Sequence, residues 1–274
     1  MSVIIGLDVG GSNTKIIGSV IDQNNKISFM RPLQVKANDP KTSVYGAFGR
    51  YISENGLSIS DIGKIRITGV GASFVKENIY GVCTEHVDEF DALGRGGLFL
   101  SGLDNAVVIS LGTGTAFVKA DKTGNHHIGG TGVGGGTLIG LSSRLFDIRN
   151  FDNIIALASE GNLDNVDLTV GDISKKHISS MGETTTASNF GKVVDYASKK
   201  DIAKGLLNMI FQTVGVMAAF ACKIDGTRDA VLCGNLSLVP DVMDYFNMIT
   251  RLHDVTFHKP EDAEYATAIG ATLN

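Results

Sequence analysis

The sequence holds only three cysteines, Cys83, Cys222 and Cys233, and only four prolines in 274 residues. Three cysteines without paired spacing exclude a disulfide framework and offer no metal-like cluster, which fits a reducing compartment. Four prolines leave no Pro-rich linker. No long basic patch occurs among 24 basic and 29 acidic residues, and the net charge is −5, so nucleic acid is excluded as a partner. The longest apolar run, around residues 214–222, is too short to span a bilayer and suits a buried helix. No basic segment opens the chain and its first apolar run is broken at Asp8, so no signal peptide is expected. These absences predict a cytoplasmic protein with no membrane partner. With 43% hydrophobic residues the chain can bury a sizeable core, and its length is comfortable for two domains.

Glycine is what the sequence has in their place, and it is concentrated. Ten of the 29 residues from Gly112 to Gly140 are glycine. The first cluster, Gly112, Thr113, Gly114 and Thr115, follows an apolar run at residues 106–110 that reads as a buried strand. The second holds Gly129, Gly130, Thr131, Gly134, Gly135, Gly136 and Thr137, and precedes Leu138 and Ile139, where a helix can start. A strand, a glycine turn with hydroxyls and a helix N-terminus together suit an anion, because exposed N–H groups and the helix dipole both favour negative charge. One such cluster reads equally as tight hairpin turns. A third cluster, Asp8, Gly10, Gly11, Ser12, Asn13 and Lys15, shifts the weight toward a nucleotide site.

Along the chain, residues 3–7 and 15–21 read as strands around the first glycine turn, and residues 26–30 as a short third strand. Apolar side chains at Val44, Ala47, Phe48, Tyr51 and Ile52 predict an amphipathic helix over 41–55, stopped at Gly56. Residues 64–70 return as a strand. Residues 84–100 are mixed, first acidic and then glycine-rich. The opening pattern of strand, glycine turn, strand and polar turn recurs from Ala106 to Gly124, a weak internal repeat. Two similar α/β halves predict domains 1–103 and 104–274 with a cleft between them. The second half is helix-rich: 154–160, an almost uniformly apolar 202–224, 241–250 and 263–273, with strands at 231–233 and 255–258. The helix over 202–224 has more apolar surface than one small domain face covers, which predicts a homodimer; burial within one subunit is the alternative.

The glycine loops at Asp8–Lys15 and Leu111–Thr115, and the turn at Gly234 and Asn235 after residues 231–233, resemble the two phosphate loops and the adenosine turn of the actin-like ATPase and sugar-kinase superfamily. Within it, the segments 87–92, 110–115, 129–137, 140–141, 167–170 and 187–191 are similar to type II pantothenate kinases. The 129–141 block is the most specific of these. The resemblance implies a duplicated α/β, ribonuclease H-like fold with a nucleotide in the cleft. It implies an enzyme that uses ATP and Mg²⁺ to phosphorylate the terminal hydroxyl of pantothenate, and a dimeric assembly. Glu89 matches the general base. Asp8 matches the carboxylate near Mg²⁺ and the phosphates, and Gly134 to Thr137 match the glycine loop at the nucleotide. His127, Gly129, Gly130 and Thr131 fall at the substrate end. An arginine usually stands where this chain has His127.

The residue types suit such a reaction. Phosphoryl transfer asks mainly for positioning and charge neutralisation, and Mg²⁺ needs few protein ligands beyond one carboxylate such as Asp8. Asp8 also reads as a turn cap, Lys15 as a solvated strand-end lysine, and Thr113 and Thr115 as strand formers. By residue type alone Glu89 is part of a solvated acidic helix start; its role as a base comes from the resemblance. His126 and His127 read equally as exposed hairpin residues. Two other readings stay open. One is a kinase for another small alcohol, such as an N-acetylhexosamine. The other is an ATP-hydrolysing activator of an acyl-CoA dehydratase, which needs clustered cysteines that Cys222 and Cys233 do not obviously supply.

Overall fold

The chain opens with a meander whose turns are glycine and asparagine. A computed structural model describes residues 2–36, 39–174 and 182–273. Val3–Val9 (β1), Asn13–Ile21 (β2) and Ile27–Phe29 (β3) pair antiparallel, and Leu33–Lys36 (β4) adds to the far end of β2. Pro40–Glu54 (α1) starts where the Asp39 carboxylate accepts from Thr42 N–H at 2.7 Å, with proline in its first turn. Its stripe of Val44, Ala47, Phe48 and Tyr51 is buried against Val3, Ile5, Leu7 and Val9 on one face of β1. Tyr51 Oη accepts the Gly18 N–H at 2.6 Å, which ties helix to sheet. Ile62–Thr68 (β5) then pairs parallel with β1, and Thr84–His86 (β6) parallel with β5. The first sheet reads β3-β2-β1-β5-β6.

Glu89–Ser101 (α2) leads to the second sheet. Asn105–Leu111 (β7), Thr115–Asp121 (β8) and Gly124–Thr131 (β9) form another antiparallel meander. Gly135–Phe146 (α3) and Phe151–Ser159 (α4) follow, then a small β hairpin with a helical turn within it: Leu168–Thr169 (β10), Val170–Ile173 (α5) and Thr186–Ser188 (β11). Lys199–Asp225 (α6) precedes Asp229–Cys233 (β12), which pairs parallel with β7. Val242–His253 (α7), Thr256–His258 (β13) and Ala266–Thr272 (α8) end the described chain. The second sheet reads β13-β12-β7-β8-β9, the same order as the first. The repeat seen in the sequence is therefore a duplication of topology.

Three elements differ from the sequence reading. The glycine-rich stretch before residue 101 is helix, because its glycines meet other backbones. A Cβ at Gly96 would overlap the Ala266 carbonyl, one at Gly270 the Ala92 carbonyl, and one at Gly97 would sit 2.5 Å from Val108 Cγ1. Residues 124–131 form a strand despite Gly129 and Gly130, since a Cβ at Gly130 would stand 2.8 Å from Thr115 O on the paired strand. The apolar helix is longer than its sequence signal. By length and composition alone α6 suffices to cross a membrane. Its apolar face, from Ala203 through Leu207, Phe211 and Val214 to Cys222, is instead buried against β7, α4 and α7, leaving Phe220 and Ile224 exposed.

The helices that follow the two sheets are exchanged. α2 follows the first sheet but packs on the second, with Leu93 against Val108, Val118 and Val231. α8 follows the second sheet but packs on the first, where Ala268 and Ile269 meet Ile17. The two helices also press on each other through the glycines just named.

Candidate functional site

Open α/β sheets present ligands to the carboxyl ends of their strands. In this chain the ends of β1, β5, β7 and β12 all carry glycine turns. The turn after β1 holds Gly10, Gly11 and Ser12, and the one after β7 holds Gly112, Thr113 and Gly114. The two turns meet: Ser12 Oγ and Thr113 Oγ1 share a hydrogen bond of 3.0 Å between the halves. The Gly10 N–H donates to Asn13 O at 3.0 Å, which closes the first turn.

The second turn is braced by the third glycine cluster. The Gly135 N–H donates to Gly112 O at 2.9 Å, and the Gly136 N–H donates to Thr113 O at 2.8 Å. A Cβ at Gly134 would stand 2.8 Å from Thr113 O, so only glycine permits this approach. Three hydroxyls are spent on the same bracing. Thr115 Oγ1 donates to Val133 O at 2.8 Å, Thr131 Oγ1 accepts from Val133 N–H at 3.2 Å, and Thr137 Oγ1 donates to Gly132 O at 3.0 Å. Among these threonines it is Thr113 that turns toward the first loop. The N-terminus of α3 follows directly; its first two N–H groups are spent on this bracing, and its dipole adds to the positive end of the cleft.

Asp8, Lys15 and Thr68 form a row across β1, β2 and β5. Asp8 is the register partner of Lys15 on one side and of Thr68 on the other, so all three side chains share the α8 face. The Asp8 carboxylate is buried and accepts no hydrogen bond from any described residue. Burial raises its pKa, and the Lys15 ammonium opposes that rise. Lys15 is itself buried and also lies close enough to Cys233, at the end of β12, to act on its thiol. The turn after β5 touches the same carboxylate. Gly69 takes φ +91°, and a Cβ there would stand 2.7 Å from Asp8 Oδ1. The end of β5 is a part of the site that the sequence reading passed over; a threonine closing a strand ahead of Gly-x-Gly was its signal.

Glu89 is the first residue of α2. The cap is Asp88, whose carboxylate accepts from Phe90 and Asp91 N–H at 2.9 and 3.0 Å. Burial, together with the Asp8 and then the Asp88 carboxylates, pushes the Glu89 carboxyl up to about 7. Glu89 is thus half-buried and close enough to Asp8 to feel its charge. His127 arrives from β9. A bulge there separates the pairs Phe117–Gly129 and Val118–His127, and the exposed imidazole stacks on Phe90 with centroids 4.2 Å apart. His127 thus lies beside the residue next to Glu89. Gly129 and Gly130 lie just beyond it on β9.

The turn after β12 completes the site. Gly234 takes φ +88°, and a Cβ there would stand 2.7 Å from Leu111 O at the end of β7. Asn235 Oδ1 is buried and has no hydrogen-bond partner among the described residues. The Gly234 N–H donates to Ala263 O, and Ala263 helps line a groove of about 650 Å³ with Leu238, Met243 and Pro260. Cys222 and Cys233 are buried thiols held up at about 12 by that burial, while Cys83 is exposed. Among the described residues no three His, Cys, Asp or Glu side chains cluster as metal ligands.

Comparison with known proteins agrees with this architecture. A family model called Fumble matches residues 105–252, just over half of the chain. The chain is similar to the type II pantothenate kinase of Bacillus thuringiensis subsp. konkukian, with 29% identity over 290 residues, all of this chain and 98% of that one. It is 28% identical over 229 residues to the type II pantothenate kinase of Staphylococcus haemolyticus, covering 78% of this chain and 84% of that one. Among solved structures it superposes on the activator of the 2-hydroxyisocaproyl-CoA dehydratase from Clostridium difficile with bound ADPNP. The TM-score there is 0.66 at 17% identity, over 99% of this chain and 93% of the other. It also superposes on a ROK family glucokinase from Streptomyces griseus in complex with glucose and AMPPNP, with a TM-score of 0.60 at 13% identity over 99% and 98% of the two chains. At these identities the two structures establish a shared fold and nothing more: the duplicated α/β fold of actin-like ATPases.

Proposed function

The chain belongs to the Fumble family, and on that premise we propose that it is a kinase that transfers the γ-phosphoryl group of ATP to the terminal hydroxyl of pantothenate. The observation that carries the reading is the placement of Glu89, a carboxyl held at about 7 beside a buried Asp8. Relatives similar over all or most of their length are named type II pantothenate kinases. The nucleotide phosphates lie between the turns of Gly10–Ser12 and Gly112–Gly114, where main-chain N–H groups and the α3 N-terminus meet negative charge. The nucleoside end lies toward Gly134–Gly136 and the Gly234–Asn235 turn, and Lys15 offsets phosphate charge. Glu89 takes the proton of the acceptor hydroxyl as the phosphoryl group leaves ATP. A carboxyl near 7 is ionised about half the time at neutral pH, the balance that suits a general base.

Magnesium fits the residues present. Asp8 offers hard oxygens that no donor among the described residues occupies, and one carboxylate plus substrate phosphates is the usual protein contribution to a Mg²⁺ site. When bound, the cation supplies charge neutralisation on the transferring phosphoryl group. Asp8 would hold it, with Lys15 screening the carboxylate from behind. His127 and Phe90 form a wall at the acceptor end, where an imidazole offers fewer donors than the arginine usual in type II pantothenate kinases.

The free thiols suit a reducing compartment, and we place the enzyme in the cytoplasm. A homodimer is supported by the large apolar side chains of Phe220 and Ile224 left on the surface of α6. Sedimentation showing only a 28.9 kDa species at micromolar concentration would reject it. The activator reading asks for accessible clustered thiols, whereas Cys222 and Cys233 are buried and protonated. The deciding experiment is a phosphorylation screen with ATP and Mg²⁺ over pantothenate, pantetheine and N-acetylhexosamines. Turnover of pantothenate is expected; turnover of a hexosamine alone would overturn the reading.

A further inference from the structure

Two hydroxyls of the first sheet are fully buried without a hydrogen-bond partner among the described residues, those of Thr14 and Thr68. They lie on opposite faces. Thr14 is the register partner of Val9, on the α1 face with Leu7 and Ile5. Thr68 alternates with Ile67 and Ile65, which belong to that core, and so faces the other way, toward Asp8. A buried hydroxyl without a partner destabilises a fold by about 1–3 kcal/mol relative to one that is paired. Threonine at this position thus costs stability unless something in the working protein bonds to it. The neighbour that lacks a donor is close by. Asp8 is in register with Thr68, buried, and without a hydrogen bond from any described residue. Its Oδ1 also leans toward the end of β5, where a Cβ on Gly69 would meet it at 2.7 Å. A buried hydroxyl without a partner and a carboxylate without a donor therefore occupy in-register positions on adjacent strands.

We propose that Thr68 is a positioning residue: in the ligand-bound enzyme its hydroxyl donates to one oxygen of Asp8 and leaves the other oxygen to the divalent cation. The inference rests on the kinase reading only for the presence of that cation. Carboxylates that bind metals are held by a second group that fixes their orientation, and loss of that group lowers metal affinity by about 10- to 100-fold. Thr68 is the one side chain in register with Asp8 that can donate from the β5 side, while Lys15 supplies charge from β2.

The test uses Mn²⁺ as the probe, with free Mn²⁺ read by electron paramagnetic resonance in the presence of ADP. Thr68→Val is expected to melt at or above the wild-type temperature without ligands, because an unpaired hydroxyl has been removed. The same variant should bind Mn²⁺ in the ADP complex about 10-fold more weakly or worse. Thr68→Ser keeps the hydroxyl and should restore binding. In steady-state assays the Mg²⁺ requirement of Thr68→Val should rise by the same factor, with the KM for the acceptor unchanged. Should the valine variant fail to fold, Thr68→Ala reads the same effect. Unaltered Mn²⁺ affinity in the folded Val or Ala variant overturns the proposal and leaves a water as the partner of Thr68. So does an Asp8→Asn variant that binds Mn²⁺ as the wild type does, or a wild type that binds none. A wild type that shows the Thr68 dependence but phosphorylates no alcohol keeps this inference and refutes the kinase reading instead.

Discussion

Replacing Glu89 by glutamine should weaken the enzyme and strengthen the protein in one step. The Glu89 carboxyl sits at about 7 against an ordinary 4.5. That gap of two and a half units corresponds to about 3 kcal/mol at ~1.4 kcal/mol per unit. Part of the carboxylate still touches water, which screens it, so a realistic cost of ionising it in the fold is about 1–2 kcal/mol. The sign follows from the direction of the shift. A carboxyl raised in the folded state contributes full stability below pH 4.5, where folded and unfolded chains are both protonated. It loses that contribution as pH rises through about 7. Glutamine stays neutral throughout. At pH 8 the variant should therefore melt about 2–8 °C above the wild type, taking ~2–4 °C per kcal/mol for a chain of this size. At pH 5 most of the difference should vanish. Over the same interval wild-type kcat/KM should climb toward a plateau above pH 7 as the base ionises, while the variant should stay flat with pH and fall about 10²-fold or more below the wild-type kcat on that plateau. Thermal melts at the two pH values, beside a steady-state assay, read both effects. Equal melting at pH 8 would show that the carboxylate is solvated, and an unaltered kcat would remove Glu89 from the chemistry.

Other variants probe the remaining parts of the site and its support. Gly114→Val places a Cβ 3.0 Å from Thr131 O in the second loop; calorimetry should find ATP binding lost in a folded protein. Gly270→Ala drives a methyl group into the Ala92 carbonyl, which should lower stability by about 3 kcal/mol or more in urea titration; an unmoved midpoint would mean that α2 and α8 part freely. Tyr51→Phe strands the Gly18 N–H inside the first sheet, an expected loss of about 1–3 kcal/mol by the same titration. His127→Arg should lower the KM for pantothenate with little change in kcat, since a planar fork of donors would hold ground and transition states alike; an unchanged KM in steady-state assays would take His127 out of the acceptor site.

Much of this site was legible because its signals are local. A strand followed by Asp8-Val-Gly-Gly, or by Leu111-Gly-Thr-Gly, announces a turn whose N–H groups face outward, and no distant residue is needed to see it. Glu89 was legible only through resemblance, because its burial and the charge of Asp8, eighty residues away, are invisible in a window that shows three neighbouring acids. The glycines at 94, 96 and 97 misled for a related reason. Within the segment they look like a loop, yet each answers to a backbone or side chain from another part of the chain, and helix propensity yields to that packing. Thr68 was passed over because a β-branched residue at a strand end needs no explanation until its hydroxyl is found buried and unpaired. The uniformly apolar α6 suggested a partner chain, and the core of the second half turned out to consume most of that surface.

The exchange of α2 and α8 bears on the order in which the protein can be made. The first sheet is synthesised early, with its α1 face covered at once by the adjoining helix. Its opposite face waits for Ala268 and Ile269, which follow every strand of the second sheet. Contacts of such long sequence separation form late and fold slowly, because the intervening chain must first be organised. The nascent N-terminal half therefore emerges with Ile17, Gly6 and the buried row of Asp8 and Lys15 open to water, an aggregation-prone surface of the kind chaperones attend. It becomes a finished domain only when the other one is nearly complete. Neither half is expected to be stable when expressed alone, however cleanly the two sheets divide the chain.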